Sequence, residues 1–425
     1  MSEGITFKSL HVEGWRQLDN VDVEFHPRLT IITGANGAGK STLLSILTRH
    51  IGWQKNFLST PKVEKSGTKE FLKGVFRSIF SLSTKPSNDP NYIGSITYSN
   101  DTNAAIRLPG GDQPQYNLEI EGQQKIQGLH IDSHRPTYAY APVSQIPTTA
   151  ISSSDAFNNY NGELYSRYQG SYGNQQPVYR MKEAIISMAA FGEGNSAIVR
   201  NQDALDCYNE FVAALRKTMP ESIGFRDLSI RLPDVVLVTE SGDFMLDAAS
   251  GGLMTIFDMT YRLHMYSRGK QSFVVTMDEP ENHLHPSMQR SLMRRLMNAF
   301  PQTQFVVATH SPFIVSSVKD SIVYALRFRD TVGRTTEGFS ASRTVVSEKL
   351  DTINRAGNAG EVLREVLGVQ STMPEWVDDE LQSLIDRYKG NEINQDTLNG
   401  LRRDLESVGQ SEFYPEALAK LLNTQ

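Results

Sequence analysis

Apolar and polar positions along this chain fall into a few repeating patterns. Residues 5–26 alternate, as in Phe7-Lys-Ser-Leu10-His-Val12 and Val21-Asp-Val23-Glu-Phe25, which predicts two half-buried strands joined around Gly14-Trp15-Arg16. Leu29, Ile31 and Ile32 predict a buried strand, and Leu43, Leu44, Ile46 and Leu47 recur at helical spacing just after it. Short alternating runs at 95–98, 105–108 and 116–120, broken by Pro109-Gly-Gly-Asp and Glu121-Gly, predict an antiparallel lobe within 92–131. Helices are expected at 179–191 and 203–219. A strand pair is expected at 228–232 and 235–238, a helix from Leu253, a strand at 272–277, a helix from about Ser287 to Phe300, and a strand at 305–308. Further strands read at 321–328 and 342–347, and helices through 359–425. Residues 148–178, rich in Ser, Asn, Gln, Gly and Tyr, read as a mobile surface segment or as an ordered partner-binding loop.

Composition narrows the class. A chain of 425 residues has ample length for a large core, and a net charge of −6 gives no global attraction to nucleic acid or anionic membrane. Local charge is another matter: Lys62, Lys65, Lys69, Lys73, Arg77 and Lys85 form a basic stretch that is a weak candidate for DNA contact. The single cysteine, Cys207, excludes an internal disulfide and a cysteine zinc cage, and fits a reducing cytoplasm. No apolar run reaches the roughly 18 to 20 residues that span a bilayer, and the first residues do not read as a signal peptide.

Chemistry concentrates where strands end. Gly34-Ala35-Asn36-Gly37-Ala38-Gly39-Lys40-Ser41-Thr42 meets the pattern G-x-x-x-x-G-K-[ST] in full, between a predicted strand and a predicted helix. Its glycines let backbone N–H groups converge on a polyphosphate, Lys40 would reach the β- and γ-phosphates, and the Ser41 hydroxyl would hold Mg²⁺. Ser250-Gly251-Gly252 opens another helix and offers unblocked N–H groups to a second phosphate. The strand ending Met277-Asp278-Glu279 brings two acids to a carboxyl edge. There Asp278 would hold Mg²⁺ through water and Glu279 would orient or deprotonate the attacking water. His310, at another strand end, would donate to a γ-phosphate, or else is a satisfied core histidine. Gln145 is a candidate for Mg²⁺ and water, Arg135 for phosphate or a neighbouring subunit, and Trp15 or Arg16 for adenine or phosphate; each also reads as an ordinary loop or core residue. His283 and His285 lack an evident third ligand, which favours a structural or subunit-contact role over a metal pair.

Together and in this order, these four motifs resemble the head domain of ABC-type ATPases, especially the SMC/RecF/OLD-like soluble branch. The resemblance covers about residues 1–330 and implies an α/β P-loop head: a mixed or parallel sheet core, an antiparallel β lobe, inserts at about 53–130 and 146–225, and a small helical region over 331–425. It implies a Walker A at Gly34–Thr42, a signature loop at Ser250–Gly252, a Walker B ending at Asp278, Glu279 as catalytic base and His310 as switch histidine. The signature departs from the family form, reading Ala-Ala-Ser-Gly-Gly-Leu where Leu-Ser-Gly-Gly-Gln is usual. Such heads work in pairs, with ATP between the Walker A of one copy and the signature loop of the other, which implies a dimer or higher oligomer. Related OLD-like nucleases carry a Toprim domain after the head; no strand-borne glutamate followed by Asp-x-Asp is found here, and a built-in nuclease is not expected. No heptad run suggests a long coiled-coil arm. The motif set resembles accessory ATPases of bacterial anti-phage defence, in which an ATP- and Mg²⁺-dependent switch controls a separate effector protein. A RecF-like DNA repair ATPase is the alternative; a membrane-transporter ATPase is disfavoured by the long inserts.

Overall fold

The computed structural model describes residues 4–63, 69–73, 89–135, 139–171, 175–335, 338–351, 359–368, 375–388 and 394–423. The chain divides into a compact unit reaching Val362 and a second from Leu363 onward. Among the described residues the first is built on an eleven-stranded sheet. Five strands in the order Gly128–Ile131, Phe273–Asp278, Thr303–Ala308, Leu29–Gly34 and Ile322–Thr335 run parallel. Their carboxyl ends therefore share one edge. The middle three are almost wholly buried, as continuous Val, Ile and Phe runs require when both faces of a sheet are covered.

The other half is mainly antiparallel. Gly338–Lys349 folds back on Ile322–Thr335 and then lies parallel to Leu18–Glu24, which pairs in turn with Phe7–Trp15, Tyr92–Tyr98, Asn103–Arg107 and Glu119–Glu121. The antiparallel lobe expected at 92–131 is thus no separate layer but the continuation of the core sheet, and its last strand, Gly128–Ile131, crosses to the far parallel edge. The expected boundary at residue 330 falls inside a strand. Because Ile322–Thr335 pairs along Leu29–Gly34, the sheet cannot end before the hairpin to Lys349 is complete.

Helices cover the parallel half. Ser153–Tyr168, Pro177–Glu193, Gln202–Thr218 and Gly251–Ser267 pack on one another, and the last buries nearly every residue, the polar Asp258, Arg262 and His264 among its apolar side chains. Residues 153–168 are helical, so a polar composition there marks neither a mobile segment nor a loop. Ser152 caps that helix by accepting from Asp155 N, and only Ala156 and Tyr160 are buried, which is why its apolar stripe is hard to read. A separate three-stranded sheet, Phe225–Arg231, Asp234–Thr239 and Phe244–Met245, precedes Ser250-Gly251-Gly252. The second unit is helical at Glu375–Tyr388, Gln395–Ser407 and Tyr414–Asn423, which enclose Leu381, Ile385, Leu401, Leu405 and Ala417. Among the described residues no helix is long and apolar enough to cross a membrane.

Candidate nucleotide site

The cradle forms where Leu29–Gly34 turns into helix Lys40–Thr48. Gly34 has φ 143°, and a Cβ there would meet Leu326 O at 2.5 Å; Gly39, at φ 99°, opens the helix. Only glycine lets the turn approach the neighbouring strand so closely. Lys40 is 5% exposed. Its Nζ donates to Gly34 O at 3.2 Å and lies 2.6 Å from His310 Nε2. Burial lowers the lysine's pKa, although Glu279, Asp278 and Glu281 all pull it back up.

Sheet register assembles the acids. Asp278 is level with Ala308, and Ala308 with Ile32. Glu279 then donates its N–H to Ala308 O at 2.9 Å and adopts φ 45°, which turns its side chain along the edge. Glu279 Oε2 accepts from His310 N at 3.1 Å, and Oε1 lies 3.4 Å from His310 Nε2. Burial, followed by the neighbouring Glu281 carboxyl, pushes the Glu279 carboxyl up to about 8. A base raised toward neutrality suits proton abstraction from water. His310 is pushed down by burial and by Lys40.

Glu281 was not singled out by sequence, yet it organises the histidine loop. Its Oε1 accepts from Thr309 Oγ1, from His310 N at 3.2 Å and from Ser311 N at 3.1 Å. The run Asp278-Glu-Pro-Glu held the signal, but nothing in a sequence says which acid faces inward. Gln17, Ser133 and Asn282 also line the cavity unforeseen. Gln17 Nε2 donates to Gly37 O at 2.8 Å, and Asn282 Nδ2 to Ser133 O at 3.1 Å.

The result is a cavity of about 790 Å³ lined by Asn36, Gly37, Gly39 to Thr42, Asp278, Glu279 and His310. Ala35 does not line it, although its carbonyl is 3.5 Å from Lys40 Nζ, and Ala38 is buried in the core. Ser41 and Asp278 are hydrogen-bonded side chain to side chain, and burial raises the Asp278 pKa. Asp278 Oδ1 is buried without a partner. A hydroxyl beside a carboxylate with one oxygen left over, at the foot of a phosphate cradle, fits Mg²⁺, a hard cation that prefers oxygen donors.

Three expected participants lie elsewhere. Gln145 is exposed, its carbonyl accepting from Tyr179 OH at 3.3 Å, because its segment runs toward helix Pro177–Glu193 and not back to the sheet edge. Arg16 donates to Leu58 O at 2.9 Å and lies over the rings of Trp15 and Phe57, away from the cavity. Ser250, Gly251 and Gly252 do not line the cavity either. Ser250 is exposed and caps its helix by accepting from Leu253 N, while Gly252 packs against His283 O. His285 caps helix Pro286–Ala299 by accepting from Ser287 N at 3.3 Å. Of the basic stretch, Lys73 donates to Pro109 O and Gly110 O; Lys65, Arg77 and Lys85 lie outside the described residues, as do the side chains of Lys62 and Lys69.

Comparison with known proteins agrees with this geometry. The AAA domain family matches residues 9–181, and the family described as AAA domain, putative AbiEii toxin, Type IV TA system matches 262–316. The two matches fall on the cradle and on the acid and histidine strands. The chain is thus similar to AAA-type ATPase domains and, in part, to an OLD nuclease. The chain is 27% identical over 148 residues to a Septu protein PtuA of Bacillus mycoides, covering 34% of this chain and 19% of that protein. It is 23% identical over 334 residues to an OLD nuclease of Thermus scotoductus, covering 72% and 59%. It therefore spans less than two thirds of either relative. An SMC head bound to the C-winged helix domain of ScpA aligns with 82% of this chain and 98% of its own, at 14% identity and a TM-score of 0.42.

Proposed function

We propose that this chain binds and hydrolyses ATP with Mg²⁺ between two of its copies, and that the paired state controls a separate effector protein in anti-phage defence. The carrying observation is a separation within one chain. The cradle cavity gathers Lys40, Ser41, Asp278, Glu279 and His310, whereas the Ser250-Gly251-Gly252 helix start, exposed at Ser250 and Gly251, lies outside it. A second copy related by a two-fold axis would bring its own signature loop to the cradle and receive the same in return.

In this reading Gly34 to Thr42 wrap the phosphates, Lys40 neutralises their charge, and Ser41 with Asp278 hold the magnesium. When bound, Mg²⁺ supplies charge neutralisation of the polyphosphate. Glu279 orients a water and takes its proton on a carboxylate, and His310 senses the terminal phosphate from the adjacent strand end. Glu281 keeps the Thr309 to Ser311 backbone in place while this happens. Control of an effector rests on the family resemblance and on the likeness to Septu PtuA. Mass measurement by light scattering tests the pairing: Glu279→Gln with Mg²⁺ and ATP is expected to shift from one copy to two, and a mass independent of ATP would overturn it.

A further inference from the structure

A second cavity, of about 290 Å³, lies beside the first at the carboxyl end of Gly128–Ile131, walled by helices Ser153–Tyr168 and Gly251–Ser267. Three guanidiniums line it, from three different elements: Arg135 after the strand, Arg167 and Arg262 on the two helices. The lining carboxylates are Asp132 and Asp258, so three guanidiniums share the cavity wall with two carboxylates. Neither carboxylate is fully at the arginines' disposal. Asp258 Oδ1 accepts from Tyr160 OH, and its Oδ2 stands 4.0 Å from both Arg135 Nη1 and Arg262 Nη1. Asp132 Oδ1 accepts from His134 N at 2.9 Å, and Oδ2 is 3.8 Å from His130 Nε2.

Arg262 is 3% exposed. Its Nη2 donates to His130 O and, at 3.4 Å, to Asn161 Oδ1, yet its Nε is buried with no acceptor. Arg167 Nε is likewise buried and unmet. Leaving N–H groups of charged side chains unpaired in a closed space costs more than a surface placement would. An anion with several acceptor oxygens removes that cost, and the planar guanidinium fork matches phosphate.

We propose that this cavity is a second anion site that takes the phosphate group of a small phosphorylated molecule. It deepens the switch reading, on which its consequence rests, by naming the chemical class of a trigger. Asp258 and Arg262 belong to the helix that begins at the signature loop, and Asp132 adjoins Ser133, whose carbonyl holds Asn282 beside the acids. An anion gathered by these arginines would pull on both halves of the ATP site.

The test uses full-length Lys40→Ala, so that the ATP cradle is disabled, with equilibrium dialysis of radiolabelled inorganic phosphate and of AMP. One equivalent of uptake is expected, with Trp53 emission changing in step because Trp53 lines the same cavity. Arg262→Met and Arg167→Met should each weaken uptake about tenfold or more, the loss of one charge-assisted contact. Should Arg262→Met not fold, the half-buried Arg167 carries the test. Equal affinity for the two probes identifies free phosphate as the ligand, and tenfold preference for AMP identifies a nucleotide; both support the site. No saturable uptake of either probe at about 10 mM, or uptake that Arg167→Met leaves unchanged, overturns it. In Glu279→Gln, the ATP concentration for half-maximal pairing should shift severalfold when the tighter probe saturates. An unmoved midpoint overturns the coupling while leaving pairing by ATP intact.

Discussion

Lys40 Nζ lies 2.6 Å from His310 Nε2, although 270 positions separate the two residues. The lysine opens the helix after one parallel strand and the histidine follows the end of its neighbour, so sheet register brings the two together, with Glu279 and Glu281 holding the histidine backbone. Both groups therefore face the point where the terminal phosphate of ATP is expected, and neither can move without the other being affected. Lys40→Ala should lower nucleotide affinity about ten- to a hundredfold, the range for a hydrogen bond to a charged group, measured with a fluorescent ATP analogue. Affinity unchanged by that substitution would place the nucleotide elsewhere.

Glu279→Gln keeps the shape of the base and removes its charge. Hydrolysis should fall about 10²- to 10⁴-fold with ATP binding retained, as followed by phosphate release. Hydrolysis at the parent rate would mean that another group takes the proton.

The pH profile of kcat/KM, which reports groups of the free protein, should show a rising limb near 8, because Glu279 works as a base only once ionised. Glu281→Gln removes the neighbouring negative charge that helps hold that carboxyl up, so the limb should move to lower pH. Burial, the larger cause, remains, and the midpoint should stay above the ordinary carboxylate range. A limb that does not move would show that Glu281 acts only through the Thr309 to Ser311 loop.

Two defective chains should rescue each other. Ser250→Arg blocks the signature loop and Lys40→Ala the cradle, and each alone should be inactive. Mixed together, they form pairs with one intact composite site, and hydrolysis should return to a fraction of the parent rate. Failure of the mixture to hydrolyse, with association of the two chains demonstrated, would argue for a site completed within one chain.

Buried histidines give stability its own pH dependence. Burial pushes His50 and His264 down to about 4, so each stays neutral in the folded chain where an unfolded chain would already be charged. Their contribution is complete above the unfolded pKa of about 6.5 and is lost as pH falls through about 4. Urea midpoints should therefore drop across that window. His50→Gln should flatten part of the drop, whereas an unaltered slope would assign the acid sensitivity to other groups.

A sharper structural test lies at Lys182. Its ammonium is fully buried between Asp234, at 2.7 Å, and Asp247. Asp247 belongs to the turn just before the signature loop, so this ion triad ties that turn to helix Pro177–Glu193 and to strand Asp234–Thr239. Lys182→Met leaves two carboxylates facing each other without their cation and should cost about 3 to 5 kcal/mol in chemical denaturation.

The cradle, the acid strand and the histidine strand were legible in the sequence because each is a local event: an apolar run that ends in chemistry. Continuous Val and Ile runs specify a strand covered on both faces, and Gly34, Gly39 and Lys40 carry a backbone requirement that few other sequences meet. Which ends lie side by side was not legible, since pairing order depends on contacts between residues hundreds of positions apart. Tertiary structure alone therefore set Gln17 against the phosphate loop and Glu281 against the Thr309 to Ser311 loop, turned Arg16 and Gln145 away from the cavity, and extended the sheet through Lys349. It also closed three arginines from three elements around one cavity, because the direction of a side chain follows from packing and not from its neighbours in the chain.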